Sequence, residues 1–330
     1  LIVAICLDDD SILDHRDEKK LVDIENKKNT LFQTASKHNN ISVVDTPIGR
    51  ILFFDYSYQG GLINYGSFKG GIPYTRYYHL SAVLNDEIKN ILVLGVGSGT
   101  VINDCYHLYN INTLDAVDID PEVVAIAQKF FNLSSDNYLK VHITDAREFV
   151  FSAKHKYDLI IMDVFLAYGM PLNLMTAEFI QKAFDCLTND GIMGVNYFST
   201  EKIAGNKSLV FRAQYKTYKE VFPNVYVFPV LYGAYEFYRY ACNLRYKLGT
   251  LTNTVILASK NNKHITKPEF IRKAQVLQSN TNFSYLKNYA LYARDYYNKE
   301  IPTEDVRILK DSILDDKELM LEKLMDYIKN

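Results

Sequence analysis

Residues 91–100 read ILVLGVGSGT: four strand-forming apolar residues run straight into a turn carrying Gly95, Gly97 and Gly99. Such a turn lets backbone N–H groups approach a ligand closely, although a lone glycine trio also occurs in ordinary strand-to-helix turns. The downstream spacing decides between the two. About twenty residues on, the next apolar run ends in Asp118 (LDAVDID), where a carboxylate can accept hydrogen bonds from a ribose diol. Turn and acid together predict a nucleoside-binding α/β domain.

Outward from this stretch, strands are predicted near residues 91–95, 113–118, 139–143, 158–163 and 191–196, with helices between them. That alternation builds a parallel sheet with right-handed crossovers. A pair near 224–230 and 252–259 closes it. Pro121 and Glu122 give the helix after Asp120 a favourable first turn, because proline gives up only an N–H that would be unpaired and the acid suits the helix dipole. Upstream, short alternating runs at 41–45 and 50–55, separated by Pro47 and Gly49, follow hairpin grammar. The predicted organisation is therefore a charged lead-in (1–30), a small antiparallel β-domain (31–72), an α/β domain (73–262) opening with a helix near Tyr74–Leu84, and a helical extension (263–330) closing with an amphipathic helix over 313–328.

With 330 residues and 48% apolar content, the chain can bury one large core, or one core plus a smaller domain. A net charge of −2 supplies no field to recruit nucleic acid or an anionic membrane, which points to a small-molecule substrate. Cys6, Cys105, Cys186 and Cys242 lack ligand spacing, so neither a metal site nor a disulfide framework is expected, and Cys105 and Cys186 read as small buried hydrophobes. Leu1–Cys6 is a short apolar run compatible with the tail of a signal or membrane segment, or with an N-terminal strand. No other stretch has the apolar length to span a bilayer, and the expected location is cytoplasmic.

Four elements fall at the carboxyl ends of successive strands, where open α/β sheets bind ligands. After the glycine turn and Asp118 come Asp145 (HITDAREF), suited to an exocyclic amine such as adenine N6, and Asp163 (YDLIIMDVF), which ends a strand apolar on both faces. A partly desolvated carboxylate there can take a proton from an attacking amine. Each aspartate alone has an ordinary reading as a strand stop or helix cap. The glycines are not followed by GKS or GKT, against a phosphate-binding P-loop, and GxGxG followed by Thr100 departs from the dinucleotide GxGxxG. His79 and His142 lack an acid and a nucleophile at triad-like positions. Tyr232, Tyr235, Tyr238, Tyr240 and Tyr246 fit a pocket wall, a dimer interface or ordinary surface packing.

PYTRYYHL (73–80), LGVGSGT, VDIDPEVV (117–124), TDAREF (144–149) and DVFLAYGMPLNLMTAEF (163–179) together resemble the spermidine synthase family of aminopropyltransferases, in particular its spermidine-synthase-like branch, over roughly residues 31–260. The resemblance implies a Rossmann-like S-adenosylmethionine-dependent methyltransferase fold behind a small N-terminal antiparallel β-domain. It implies decarboxylated S-adenosylmethionine as co-substrate, an amine acceptor, no metal, and a homodimer or tetramer. By position it implies that Gln33, Gln59 and Tyr74 contact the cofactor together with Gly95, Gly97, Gly99 and Ala146, that Asp118 holds the ribose and Asp145 the adenine, and that Asp163 is the general base.

Two positions depart from the family pattern. Ser98 replaces the aspartate of the glycine loop, and Leu166 replaces a second aspartate three residues after the base. Both changes remove charge complementarity for a diamine, with Asp104 or Glu236 as candidate substitutes. A neutral residue at 98 also relaxes discrimination against the carboxylate of intact S-adenosylmethionine, which makes a small-molecule methyltransferase a rival. A non-catalytic nucleoside-binding module is the third reading.

Overall fold

A computed structural model describes residues 29–314 and 328, apart from 48, 56, 66–67, 134–136, 166–168, 201–202, 206–207, 237–250 and 280–281. Leu1–Cys6, nearly all of the charged lead-in, Leu166, Cys242, three of the five tyrosines (Tyr238, Tyr240, Tyr246) and most of the closing helix lie outside the described residues, as do the side chains of Tyr235 and Glu236.

Two sheets carry the fold. Strands β1 (Asn29–Ala35), β2 (Asn40–Thr46), β3 (Gly49–Phe54), β4 (Ser57–Tyr65) and β5 (Phe68–Gly70) form an antiparallel meander in sequence order. The alternation read as one hairpin thus extends over five strands. A short helix α1 (Thr75–Tyr78) and a 3-10 turn (His79–Val83) lead into the second sheet.

The second sheet contains β6 (Asn90–Leu94), β7 (Thr113–Asp118), β8 (Leu139–Ile143), β9 (Tyr157–Met162), β10 (Leu187–Thr200), β11 (Asn224–Pro229) and β12 (Leu251–Ser259). Their order is β11-β12-β10-β9-β6-β7-β8, parallel from β10 to β8, with β12 antiparallel to both neighbours. From β6 the chain proceeds outward through β7 and β8, then returns to build β9 on the other flank. A topological switch point therefore opens at the carboxyl ends of β6 and β9.

The connecting helices are set by local chemistry. Helix α2 (Thr100–Leu108) follows the glycine turn, and α3 (Pro121–Phe130) starts at Asp120, whose side chain accepts from the Glu122 N–H at 3.1 Å. Asp145 caps α4 (Ala146–Ser152), and Thr176 caps α5 (Ala177–Asp185). A cap of this kind satisfies an N–H that the helix itself leaves unpaired. Helix α6 (Leu209–Val221) precedes β11, and α7 (Leu231–Glu236) follows it.

Each face of the parallel sheet buries its own apolar cluster. One contains Tyr77, Tyr78, Ile91, Val93, Leu159 and Ile161, and the other Leu92, Leu94, Ile160, Met162, Phe179 and Ile180. A third cluster joins the sheets: Ile41, Val43, Leu52 and Phe54 of the meander pack on Val123, Ile126 and Phe131 at α3. Residues of the helical extension enter both cores. Phe270 of α8 (Lys267–Gln278), with Tyr289, Tyr292 and Tyr296, is built into the first core, and Ile301, Val306, Leu309 and Ile313 into the second. Among the described residues no helix is long and apolar enough to cross a membrane.

Candidate active site

A cavity of about 300 Å³ opens at the switch point between the meander and the carboxyl ends of β6–β9. Its floor is the glycine turn. Gly95 has φ +90°, and a Cβ there would drive into the carbonyl oxygen of Asp163, so the ends of β6 and β9 touch backbone to backbone. At Gly97 a Cβ would meet nothing within 4 Å, which leaves clear space over the turn. Gly99 caps α2 in the left-handed region and does not itself line the cavity.

Asp118, Asp120, Asp145 and Ala146 form one wall. Asp118 Oδ2 accepts from the Val96 N–H at 2.9 Å and Oδ1 from the Asp120 N–H at 3.0 Å. The carboxylate therefore fixes the glycine turn, with the Gly97 N–H also directed at it. Burial raises its pKa while those N–H groups hold it down. Asp145 accepts from the Arg147 and Glu148 N–H groups through Oδ1 alone, at 2.8 and 3.1 Å, and Oδ2 accepts no hydrogen bond among the described residues.

Asp163 stands on the opposite wall. The Tyr74 hydroxyl donates to its carboxylate, 3.0 Å from Oδ2 and 3.2 Å from Oδ1. Tyr78, edge to face with Tyr74 at 6.0 Å, brings a second hydroxyl toward the same group without a hydrogen bond of regular geometry. Burial pushes the Asp163 carboxyl up to about 6, against the opposing pull of the two hydroxyls. A carboxylate in this position takes up a proton near neutrality, as a general base must. Asn196 stands one residue past the paired Val195 and Met162, and its buried Oδ1 has no hydrogen-bond partner among the described residues.

Gln59 and Gly60 of β4 complete the cavity on the meander side, together with His38 and Asn39 of the β1–β2 turn. Gln33 does not join them: it is exposed on edge strand β1, paired with Ser42, and the turn beyond it supplies His38 and Asn39 instead. Ser36 Oγ donates to Asp120 Oδ2 at 2.5 Å and ties this turn to the acidic wall. Ser98 is buried, with its hydroxyl 3.1 Å from Thr100 Oγ1 and so close to Gly60 that a Cβ on that glycine would lie 2.5 Å from it.

Three other candidates stand away from the cavity. Asp104 is buried on α2, 3.9 Å from His79 Nε2. Burial lifts its carboxyl to about 7 and, with Arg76, lowers His79 to about 3, so the histidine stays neutral. His142 lies 2.8 Å from Asp115, which also accepts from the Tyr157 hydroxyl at 2.9 Å, joining β8, β7 and β9 structurally. His38, Asn39 and Asn196 were invisible to motif reading because cross-strand register and turn direction, not local spacing, set their positions, whereas Tyr78 stands one helical turn past Tyr74 within the motif already quoted.

The spermine/spermidine synthase domain model matches residues 74–242. The polyamine aminopropyltransferase of Vibrio vulnificus is 33% identical over 161 residues, covering 48% of this chain and 52% of that protein. The chain spans about half the length of the curated relatives it matches at 32–33% identity. Among solved structures, the spermidine synthase of Thermotoga maritima superposes with a TM-score of 0.56 at 17% identity, over 90% of this chain and 87% of that one. Human methyltransferase-like protein 13 in complex with SAH gives 0.50 at 20% identity, over 62% and 90%. Both likenesses concern the fold.

Proposed function

Because the chain belongs to the spermine/spermidine synthase family, we propose that it is a transferase that moves an aminopropyl group from decarboxylated S-adenosylmethionine to an amine, releasing methylthioadenosine. The observation that carries this reading is Asp163: a half-buried carboxylate, held by a tyrosine hydroxyl, across one cavity from a glycine turn backed by Asp118 and Asp145. The open space over Gly97 and the unengaged Oδ2 of Asp145 fit a nucleoside. In this assignment Asp118 receives the ribose, Asp145 with Ala146 the adenine, and Gln59 and Tyr74 the propyl side.

The sulfonium supplies a leaving group. Asp163 accepts the proton of the acceptor ammonium, and Tyr74 keeps the carboxylate oriented while it does so. The freed nitrogen lone pair forms a C–N bond to the methylene beside sulfur as the C–S bond breaks, and its electron pair stays on sulfur. The chain's contribution is positioning plus one proton transfer. Residues 31–72 and 73–262 are assigned as the two catalytic domains and 263–330 as their extension, in a cytoplasmic dimer or tetramer.

Ser98 favours one second reading. With no acid at that position, the carboxylate of intact S-adenosylmethionine meets no repulsion, and methyl transfer becomes possible at the same site. Incubating the purified protein with each cofactor form and a panel of amines separates the readings. Methylthioadenosine from the decarboxylated form is the expected product. S-adenosylhomocysteine from the intact form would replace this proposal with methyl transfer, and nucleoside binding without product would make the protein a binding module.

A further inference from the structure

Helix α1 is four residues long, yet the tyrosines at and around it grip two different parts of the molecule. Tyr74, immediately before it, and Tyr78, one helical turn on, face the Asp163 carboxylate. Tyr77 engages the C-terminal extension instead: its hydroxyl donates to Asp295 Oδ2 at 2.5 Å and accepts from the Gly233 N–H at 3.0 Å. The same Oδ2 accepts from the Leu231 and Tyr232 N–H groups at 3.0 and 2.7 Å. Asp295, the last residue of a 3-10 turn (Ala293–Asp295), thus closes the N-terminal end of α7 from 64 residues away. Helix α7 in turn sits hard against α1, since a Cβ on Gly233 would lie 3.0 Å from the Tyr77 ring and 3.1 Å from Pro73.

A single helical turn does not hold its own shape, so the angle of α1 is set by what its side chains grip. A hydrogen bond weakens steeply with lost distance or alignment, and a misplaced group near the chemistry costs far more rate than stability. Resting on the transferase reading above, we propose that Asp295 is a positioning residue for the transfer: by gathering Tyr77 and the first N–H groups of α7 on one oxygen, it fixes α1 and so the Tyr74 hydroxyl on the base. Besides those three donors, Lys267 of α8 acts on Asp295 electrostatically.

The test reads methylthioadenosine release from decarboxylated S-adenosylmethionine and an amine, with working sites counted by calorimetric titration of methylthioadenosine, in the wild type, Asp295→Ala, Asp295→Asn, Tyr77→Phe and Tyr74→Phe. Asp295→Ala and Tyr77→Phe should lower kcat per site about 10–100-fold while leaving the cofactor KM nearly unchanged. Both should move the acid limb of the pH–rate profile upward, as Tyr74→Phe does, and Asp295→Ala should add little in the Tyr74→Phe background. Asp295→Asn keeps an acceptor oxygen for the three donors and should retain most of kcat. Burial lifts the Asp295 carboxyl itself to about 6, so this variant, which does not titrate there, also isolates the limb that belongs to Asp163.

A lower melting temperature with kcat per site and acid limb unchanged would make Asp295 a helix cap and nothing more, overturning this inference alone. If Asp295→Ala fails to melt cooperatively, Tyr77→Phe, which removes one hydroxyl and keeps the ring, decides by the same readings. No methylthioadenosine from the wild type with any amine overturns the transferase reading and this inference together.

Discussion

Asp163 becomes basic by losing water. Burial lifts its carboxyl to about 6, and the hydroxyl of Tyr74 opposes that rise by donating to the charged form. If the base is required in its ionised form, kcat/KM rises with pH through about 6 and then levels. Tyr74→Phe removes a stabiliser of the carboxylate, so the acid limb moves to higher pH, by about half to one unit, in a pH–rate profile. Asp163→Asn lowers turnover by about 10²–10⁴-fold while leaving methylthioadenosine binding intact by calorimetric titration. The same variant reports on stability. A carboxyl whose folded pKa lies above its unfolded value contributes stability below the unfolded value and loses it as pH rises through the folded one, here about 6. Asp163→Asn is free of that loss, so its melting temperature should exceed the wild type at pH 8 and approach it near pH 4. Asp163 was readable because it ends an apolar run. Asn196 was not, since only the pairing of β10 with β9 sets it beside that strand end.

At the scale of elements, the turn after β6 is the most constrained joint in the molecule. Gly95 combines a positive φ with backbone contact to the Asp163 carbonyl, so Gly95→Ala meets both a conformational and a steric penalty. A loss of about 2–4 kcal/mol in denaturant unfolding is expected, with activity falling further than stability because the base moves with the strand end. β6 and β9 were legible as continuous apolar runs, and β7 (113–118) and β8 (139–143), which carry Asp115, Lys140 and His142 inside them, as the next strands in the alternation with helices. The wall contributed by the meander was less legible. Gln33 and Asn39 both fall near the β1–β2 turn in sequence, but pairing with β2 leaves Gln33 exposed on β1, while the turn puts Asn39 at the cavity.

Across the whole molecule, the segment beyond residue 262 is part of the core. Tyr77 donates to Asp295 at 2.5 Å and Arg76 to the Tyr292 hydroxyl at 2.7 Å, over sequence separations of 218 and 216. Such distances carry no local signature, and the sequence marks 263–330 only as a helical extension. Truncation after residue 262 removes Phe270, Tyr289, Tyr292 and Tyr296 from one face of the sheet and Val306 and Leu309 from the other. The shortened chain should show no cooperative thermal transition and should elute as aggregate. The sheet also has an order of completion. Among the described residues β11 pairs along its length with β12 and meets Tyr297 through a single bridge at Val227, and both partners are synthesised after it. During translation the strand at 224–229 leaves the ribosome with neither edge matched, and its docking waits until residues 251–259 emerge and slot in beside β10. The growing polypeptide thus carries a sticky, half-built margin for as long as the intervening stretch takes to be made, and a pause in decoding there would lengthen its exposure to chaperones and to self-association.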